Sequence, residues 1–276
     1  MPHFTSGDVT IKYRIAGDPS ARRVLYISGT GSDLRAPNLI RDRFEDHFCV
    51  ASYDQRGLGR SSKPDRAYSM AEYAADAVAF MDHLGWSSAS VFGISFGGMV
   101  AQELAVTWPG RIETLVLACT SSGGPGSSSF PLHTLVESGD EQRDAVESIE
   151  RSDTRRDETW RSENPRLLAK LIDFVLTSKQ IGAGEPGREV GARHQLEARA
   201  GHDTHDRLGH IDSACLVQGG RFDGIAPPEN LKVLATQIPG ATLKMYDGGH
   251  LFHLQAPEAS EDAINFLSTQ HGATDE

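Results

Sequence analysis

Residues 91–102, VFGISFGGMVAQ, interrupt an apolar run with three glycines and a single serine. A buried strand followed by a helix would be more stable without them, because each glycine costs roughly 0.5–1 kcal/mol relative to alanine inside a regular element. Gly93, Ser95 and Gly97 fit the pattern G-x-S-x-G, placed between an expected strand and an expected helix. This context predicts a sharp, strained turn that lifts the Ser95 hydroxyl above a sheet and needs neighbours without a β-carbon.

Short apolar runs alternate with helical patterns on both sides of this turn. A helix is predicted from Met70 to Leu84, with Ser69 as its N-cap, Glu72 three residues later and Gly85 as its stop. The alternation predicts an α/β fold, a mostly parallel sheet with helices on both faces. The runs that read as buried strands are RRVLYISG, FCVASYD, SASVFGIS, ETLVLACT, SACLVQGG and ATLKMYDG.

The alternation stops near residue 121 and resumes near residue 211. Between them no segment reads as a strand, while LLAKLIDFVL and ARHQLEARA carry apolar residues at helical spacing. We therefore expect a helical cap at 123–210, inserted into a core made of 1–122 and 211–276. Such a cap would cover the carboxyl ends of the strands, where open parallel sheets bind ligands.

Composition excludes several classes of protein. The formal net charge of −11 argues against nucleic acid and anionic membranes as partners. No apolar run is long enough for a spanning helix, and the N-terminus lacks the pattern of a signal peptide, so we expect a cytoplasmic protein. The three cysteines, Cys49, Cys119 and Cys215, lie far apart in apolar stretches and are expected in the core.

A serine nucleophile needs a base for its proton and a partner that orients the base. Asp223 follows an expected strand, and His250 lies in the loop after the last expected strand, in the order Ser, Asp, His. His253 is a second candidate for the base. Asp247 lies only three residues before His250, where it could hardly face the imidazole ring. Ser95, His250 and Asp223 are therefore the predicted catalytic residues.

Four segments, YDQRGLGRSSKP, GISFGG, GRFDGIAP and GGHLFHLQAPE, are similar to patterns of the α/β-hydrolase superfamily. The resemblance covers nearly the whole chain and is nearest to the esterase and lactonase branch that includes 3-oxoadipate enol-lactonases. It implies an eight-stranded, mostly parallel sheet with an inserted helical cap.

The same resemblance implies that backbone N–H groups of Thr30 and Phe96 form an oxyanion hole. Many members carry a histidine where this chain has Ser28, but a main-chain donor does not depend on that side chain. The loop around Asp54 packs beneath the site in the family, so we expect Asp54 and Arg56 to form a structural pair.

Substrate contacts and metal ligands are harder to read from the sequence. Gly29, Trp160 and Phe252 are candidates for the pocket wall, although Trp160 and Phe174 could instead anchor the cap. Several histidines in the cap invite a metal site, but none shows the spacing of a zinc hydrolase, so no metal or cofactor is expected. These histidines are His194, His202, His205 and His210.

These features together predict a serine hydrolase that cleaves a small carboxylic ester or lactone, as a monomer or a homodimer. A carbon–carbon bond hydrolase for ring-fission products would share the triad. An aminopeptidase would use acidic cap residues to hold an amine, and a ligand-sensing member of the fold would keep the triad with slow turnover. Epoxide hydrolases and dehalogenases are disfavoured because they need aspartate in place of Ser95.

Overall fold

The computed structural model describes residues 1–126 and 128–269. Its centre is an eight-stranded sheet in the order β1-β2-β4-β3-β5-β6-β7-β8. Strand β2 pairs antiparallel with β1 on one side and with β4 on the other, and all other pairs are parallel. The strands are β1 (His3–Ser6), β2 (Val9–Ala16), β3 (Arg23–Ile27), β4 (Cys49–Tyr53), β5 (Ala89–Ile94), β6 (Ile112–Ala118), β7 (Ala214–Gly220) and β8 (Thr242–Tyr246).

Six of these strands coincide with the six apolar runs, whereas the hairpin of β1 and β2 does not follow from those runs. Strand β1 has only four residues, and β2 is interrupted by the charged residues Lys12 and Arg14. Gly7, with a φ of +55°, makes the turn between them. Two features of the sequence indicate this hairpin: the glycine at its turn and the alternation in β1. In β1, Phe4 and Ser6 are buried while His3 and Thr5 are exposed.

Ten α-helices surround the sheet within the described residues. Two buried apolar clusters lie on its two faces, one formed with α2, α3 and α8, the other with α1, α9 and α10. Helices therefore cover both faces, as predicted. The helices are α1 (Leu39–Phe44), α2 (Met70–His83), α3 (Phe96–Thr107), α4 (Glu141–Ser152), α5 (Glu158–Glu163), α6 (Pro165–Gln180), α7 (Arg188–Ala200), α8 (Pro228–Gln237), α9 (Phe252–Gln255) and α10 (Glu258–Ser268).

Helix α2 begins at the predicted residue, Met70, and ends at His83, one residue before the predicted end. Ser69 accepts a hydrogen bond from the Glu72 N–H, and the Glu72 carboxylate accepts one from the Ser69 N–H, which completes a capping box. Gly85, at a φ of +66°, follows its last turn.

Helices α4 to α7 lie between β6 and β7, where no further strand occurs in the described residues. The highly charged run after residue 136 forms α4 and α5, whose caps are Asp140 and Asp157. Helix α6 has no buried residue. The exact limits of the cap, 123 and 210, stay a prediction.

The three cysteines are buried and unpaired. None of the described helices combines the length and the apolar character required to cross a bilayer.

Candidate active site

The turn between β5 and α3 has the strain that the glycines predict. Ser95 adopts a φ of 55° and a ψ of −117°, outside the regions favoured by L-residues. A β-carbon on Gly93 would lie 2.5 Å from the Gly97 carbonyl oxygen, and one on Gly98 would lie 2.6 Å from Cβ of Thr120. A β-carbon on Gly97 would collide with the carbonyl oxygen of Ile27. Gly93 and Gly97 are therefore required by backbone contacts around the serine, and Gly98 by the side chain of Thr120.

The three predicted catalytic side chains lie in one hydrogen-bonded chain. Nε2 of His250 lies 3.0 Å from Oγ of Ser95, and its Nδ1 lies 2.7 Å from Oδ2 of Asp223. Asp223 is buried and His250 is partly buried, so the imidazole can exchange a proton with Ser95 while the carboxylate holds its other nitrogen.

Backbone groups fix the acid and the base. Oδ1 of Asp223 accepts hydrogen bonds from the N–H groups of Ile225 and Ala226, at 2.7 and 2.9 Å. The His250 N–H donates to the carbonyl of Ser152, at the end of α4, over 2.6 Å. The cap thus takes part in positioning the base.

The expected oxyanion donors are available. The N–H groups of Thr30 and Phe96 have no hydrogen-bond acceptor among the described residues. Phe96 opens α3, whose first N–H groups carry the partial positive charge of a helix N-terminus. Gly29 leaves room beside the nucleophile, because a β-carbon there would lie 3.4 Å from Cβ of Ser95.

A cavity of about 830 Å³ opens above Ser95 and His250. Gly29, Thr30 and Phe174 belong to its wall. Six of the nine large apolar side chains that are exposed in the described residues also line it, so the exposed apolar surface is concentrated at this one place. These six are Leu39, Leu135, Val136, Phe174, Leu251 and Leu254.

Two predicted pocket residues do not line this cavity. Phe252 is fully buried behind His250, stacked on Tyr246 and in contact with His253, so the prediction that it walls the pocket is wrong. Trp160 lies on α5, where the guanidinium of Arg156 stacks over its ring, and it is absent from the cavity wall. Neither orientation can be read from sequence, because both side chains follow irregular segments.

The predicted pairing of Asp54 with Arg56 is also wrong, although both residues are structural. Asp54 accepts hydrogen bonds from the N–H groups of Leu34 and Arg60, and burial raises its pKa. Arg56 instead forms an ion pair of 2.7 Å with the buried Asp76.

The alternative base, His253, and the alternative acid, Asp247, are bound to other partners. His253 is buried, with Nδ1 3.1 Å from Oγ of Ser260. Burial lowers the pKa of His253 to about 3. Asp247 is exposed and pairs with Arg155.

The cap histidines have separate surroundings. His194 lies against Asp65 and Glu197, and His205 against Asp206. Burial lowers the pKa of His202 to about 4. Within the described part of the chain, none of them joins a cluster of three metal-ligating groups.

One residue beside the three predicted catalytic side chains, Cys119, does not follow from the sequence motifs. The thiol of Cys119 lies within 4.8 Å of ligand atoms of Asp223 and His250. Burial and the nearby Asp223 carboxylate raise the pKa of the Cys119 thiol, which therefore stays protonated. Its φ of 41° is unusual for a residue other than glycine. The thiol is a neutral neighbour of the acid, and its position at the end of β6 was the only signal.

The family described as alpha/beta hydrolase fold matches residues 24–257. The 3-oxoadipate enol-lactonase 2 of Acinetobacter baylyi is 24% identical over 95% of this chain and 94% of its own. The poly(3-hydroxyalkanoate) depolymerase of Ectopseudomonas oleovorans is 28% identical over 88% of this chain and 83% of its own.

Among solved structures, the enol-lactonase from Burkholderia xenovorans LB400 superposes with a TM-score of 0.78 at 25% identity, covering 97% of this chain and all of that one. The match of the family to most of the chain agrees with the sheet order and with the strained turn at Ser95. The chain therefore belongs to the α/β-hydrolase fold family.

Proposed function

We propose that this protein is a serine hydrolase that cleaves a carboxylic ester or a lactone through an acyl-enzyme on Ser95. The observation that carries the proposal is the hydrogen-bonded chain from Ser95 through His250 to Asp223, at 3.0 and 2.7 Å, on the floor of the cavity. The enol-lactonase and depolymerase names of its relatives support the same reaction class.

The reaction begins with attack of Oγ of Ser95 on the substrate carbonyl. Nε2 of His250 takes the serine proton, and the Asp223 carboxylate stabilises the imidazolium. The carbonyl oxygen becomes an oxyanion that accepts hydrogen bonds from the N–H groups of Thr30 and Phe96. Collapse of this intermediate breaks the bond to the alkoxide, which receives the proton from His250.

Water then completes the reaction. His250 takes a proton from the water molecule as its oxygen attacks the acyl carbon, and the same proton returns to Oγ of Ser95 as the acid leaves. In a lactone the released alcohol remains part of the acyl group, so this step yields a single hydroxy acid. No residue in this sequence of proton transfers requires a metal or a cofactor.

The cavity wall favours a neutral and largely apolar substrate. Its exposed leucine, valine and phenylalanine side chains would lie against an acyl or alkyl chain, which agrees with the polyester substrate in the name of the depolymerase. Charged groups on the wall nearly balance, with three carboxylates against two cations, and one cation, Lys179, is paired with Glu137. An anionic ring-fission product would find no excess of positive charge. The other charged groups are Asp144, Glu147 and Arg151.

Purified protein would be tested with nitrophenyl esters from acetyl to dodecanoyl, with lactones of several ring sizes and with a vinylogous diketo acid. We expect turnover of esters or lactones with a preference for longer chains. The Ser95→Ala variant should lose at least about 10³-fold in kcat/KM without a change in melting temperature.

The matched control is Ser260→Ala, which removes another buried hydroxyl, on α10. It should keep wild-type turnover. Full activity of Ser95→Ala would contradict the proposed nucleophile. Cleavage of the diketo acid alone would favour the carbon–carbon bond hydrolase, and turnover far below that of ordinary esterases would favour the ligand-sensing role.

A further inference from the structure

We infer that Gln195, on the cap helix α7, is a positioning residue of the oxyanion hole. The inference rests on the proposed function and adds a residue to it. Gln195 is fully buried, and its Oε1 accepts a hydrogen bond of 2.9 Å from the N–H of Gly31. Gly31 directly follows Thr30, whose N–H is one of the two expected oxyanion donors.

Two glutamines hold the peptide units on either side of this donor. The Thr30 N–H belongs to the peptide unit between Gly29 and Thr30. The preceding unit is fixed at its carbonyl, because Nε2 of the buried Gln55 donates to the Ser28 oxygen over 2.7 Å. The following unit is fixed at its N–H by Gln195.

The donor unit itself makes no hydrogen bond through its N–H to any described residue. Its orientation therefore depends on the two neighbouring peptide units and on the backbone torsions of Gly29 and Thr30. Gly29 has no side chain to restrain its torsion, and Gly31, at a φ of +68° with open space around it, gives the following unit no packing restraint besides Gln195. Without Gln195, the Thr30 amide would be free to rotate away from the oxyanion.

Helix α7 is placed firmly enough to do this. One turn before Gln195, Gly191 packs directly on the backbone of Gly57, so close that a β-carbon on Gly191 would collide with the Gly57 carbonyl oxygen. Residues four apart share one face of a helix, so the same face that contacts the core carries Gln195 to the loop. The next residue, Leu196, lines the cavity. The cap thus contributes to transition-state stabilisation as well as to the substrate pocket.

The experiment compares Gln195→Met, which keeps the length and loses the acceptor, with Gln195→Asn, which keeps the amide and shortens its reach. Turnover of the best ester is measured beside inhibition by a trifluoromethyl ketone carrying the same acyl chain. Oγ of Ser95 adds to the ketone carbon, the serine proton passes to His250, and the carbonyl oxygen becomes an oxyanion. The ketone therefore reports on the oxyanion hole without any leaving group.

Both variants should lose about 10- to 100-fold in kcat, with KM within about threefold of wild type, because the lost contact acts in the transition state. Affinity for the ketone should fall by the same factor as kcat/KM. The control is Gln102→Met. Gln102 is equally buried and its Nε2 donates to the carbonyls of Gly98 and Ser121, away from the Ser28–Gly31 loop. It should leave both quantities unchanged.

Unchanged ketone affinity in the Gln195 variants, or an equal loss in the Gln102 control, would overturn the inference. If one Gln195 variant does not fold, turnover and ketone affinity are measured for the other variant and for Gln55→Met. Gln55→Met releases the Ser28 carbonyl, on the other side of the donor unit, and should lower both quantities in the same way. Wild-type protein that neither turns over esters nor binds the ketone would refute the proposed function, and the inference with it.

Discussion

The two walls of the catalytic cavity are built in opposite ways. On the core side, ten of the twelve residues of α3 are buried, and the backbone around Ser95 leaves no space for a single additional carbon. On the cap side, none of the sixteen residues of α6 is buried, although Phe174, Val175 and Lys179 line the cavity. The reacting groups therefore depend on close packing, whereas the substrate-facing wall does not.

This difference has a physical consequence for how the site tolerates change. A close-packed region responds to one extra methyl group with strain, while an exposed helix loses little free energy when a side chain is replaced. The position of Ser95, the proposed nucleophile, is thus tightly determined, and we expect side chains of the cap wall to be replaceable without loss of stability. The predictions below test this contrast.

Gly97→Ala should give the largest loss of stability. The new β-carbon would meet the Ile27 carbonyl oxygen, a backbone atom inside the sheet that cannot move aside, so we expect a destabilisation of about 3 kcal/mol or more. Unfolding in urea measures this change in the free energy of unfolding. Gly184→Ala in the cap is the control, because a β-carbon there meets nothing within 4 Å, and it should change stability by less than about 1 kcal/mol. Equal effects at the two glycines would contradict the contrast.

Acid should weaken the protein through His202, a buried residue between α7 and β7. Burial lowers its pKa in the folded state to about 4, against about 6.5 in the unfolded chain. Between these two pH values the unfolded chain binds more protons than the folded chain. The contribution of neutral His202 to stability is therefore fully present above about pH 6.5 and is lost as the pH falls toward about 4. From about pH 7 to about pH 5 the loss should be about 2 kcal/mol.

Urea unfolding of His202→Gln at about pH 7 and about pH 5 would measure how much His202 contributes to the pH dependence of stability. The variant should show a shallower fall of stability with pH, whereas His210→Gln, at an exposed position, should keep the wild-type dependence. An unchanged dependence in His202→Gln would show that His202 is not the group responsible.

Phe174→Ala should give the smallest effect on stability and a selective effect on substrate. The side chain is 56% exposed and lies on the cavity wall, so the free energy of unfolding should change by less than about 0.5 kcal/mol. KM for long-chain esters should rise about 5- to 10-fold while acetyl esters are unaffected. Leu167→Ala, on the same helix but outside the cavity wall, should change neither value. A uniform loss across chain lengths would place Phe174 outside the acyl site.

Most of the α/β core could be predicted from the sequence, because the patterns that indicate its strands, helices and turns are local. Ser95 follows from the glycines, and Asp223 and His250 follow from the order of strand ends in a parallel sheet. The hairpin of β1 and β2 was not predicted, because β1 has only four residues and Lys12 and Arg14 break the apolar run in β2. Phe252, Trp160 and the partner of Arg56 could not be read correctly, since side-chain direction after a loop and the choice among several carboxylates are decided by tertiary packing.

The backbone contacts at the end of α4 bear on how this enzyme could be redesigned. The Ser152 carbonyl holds the His250 N–H, the Thr154 N–H donates to the Phe222 carbonyl beside Asp223, and Asp153 binds Gln255. These three consecutive residues lie in the cap segment of the sequence, but they contact the loops that carry Asp223 and His250. A chimera that exchanged the whole cap for that of another hydrolase would remove them together. Grafting only 158–180, the span of α5 and α6, would exchange Phe174, Val175 and Lys179 on the cavity wall and leave these backbone contacts in place.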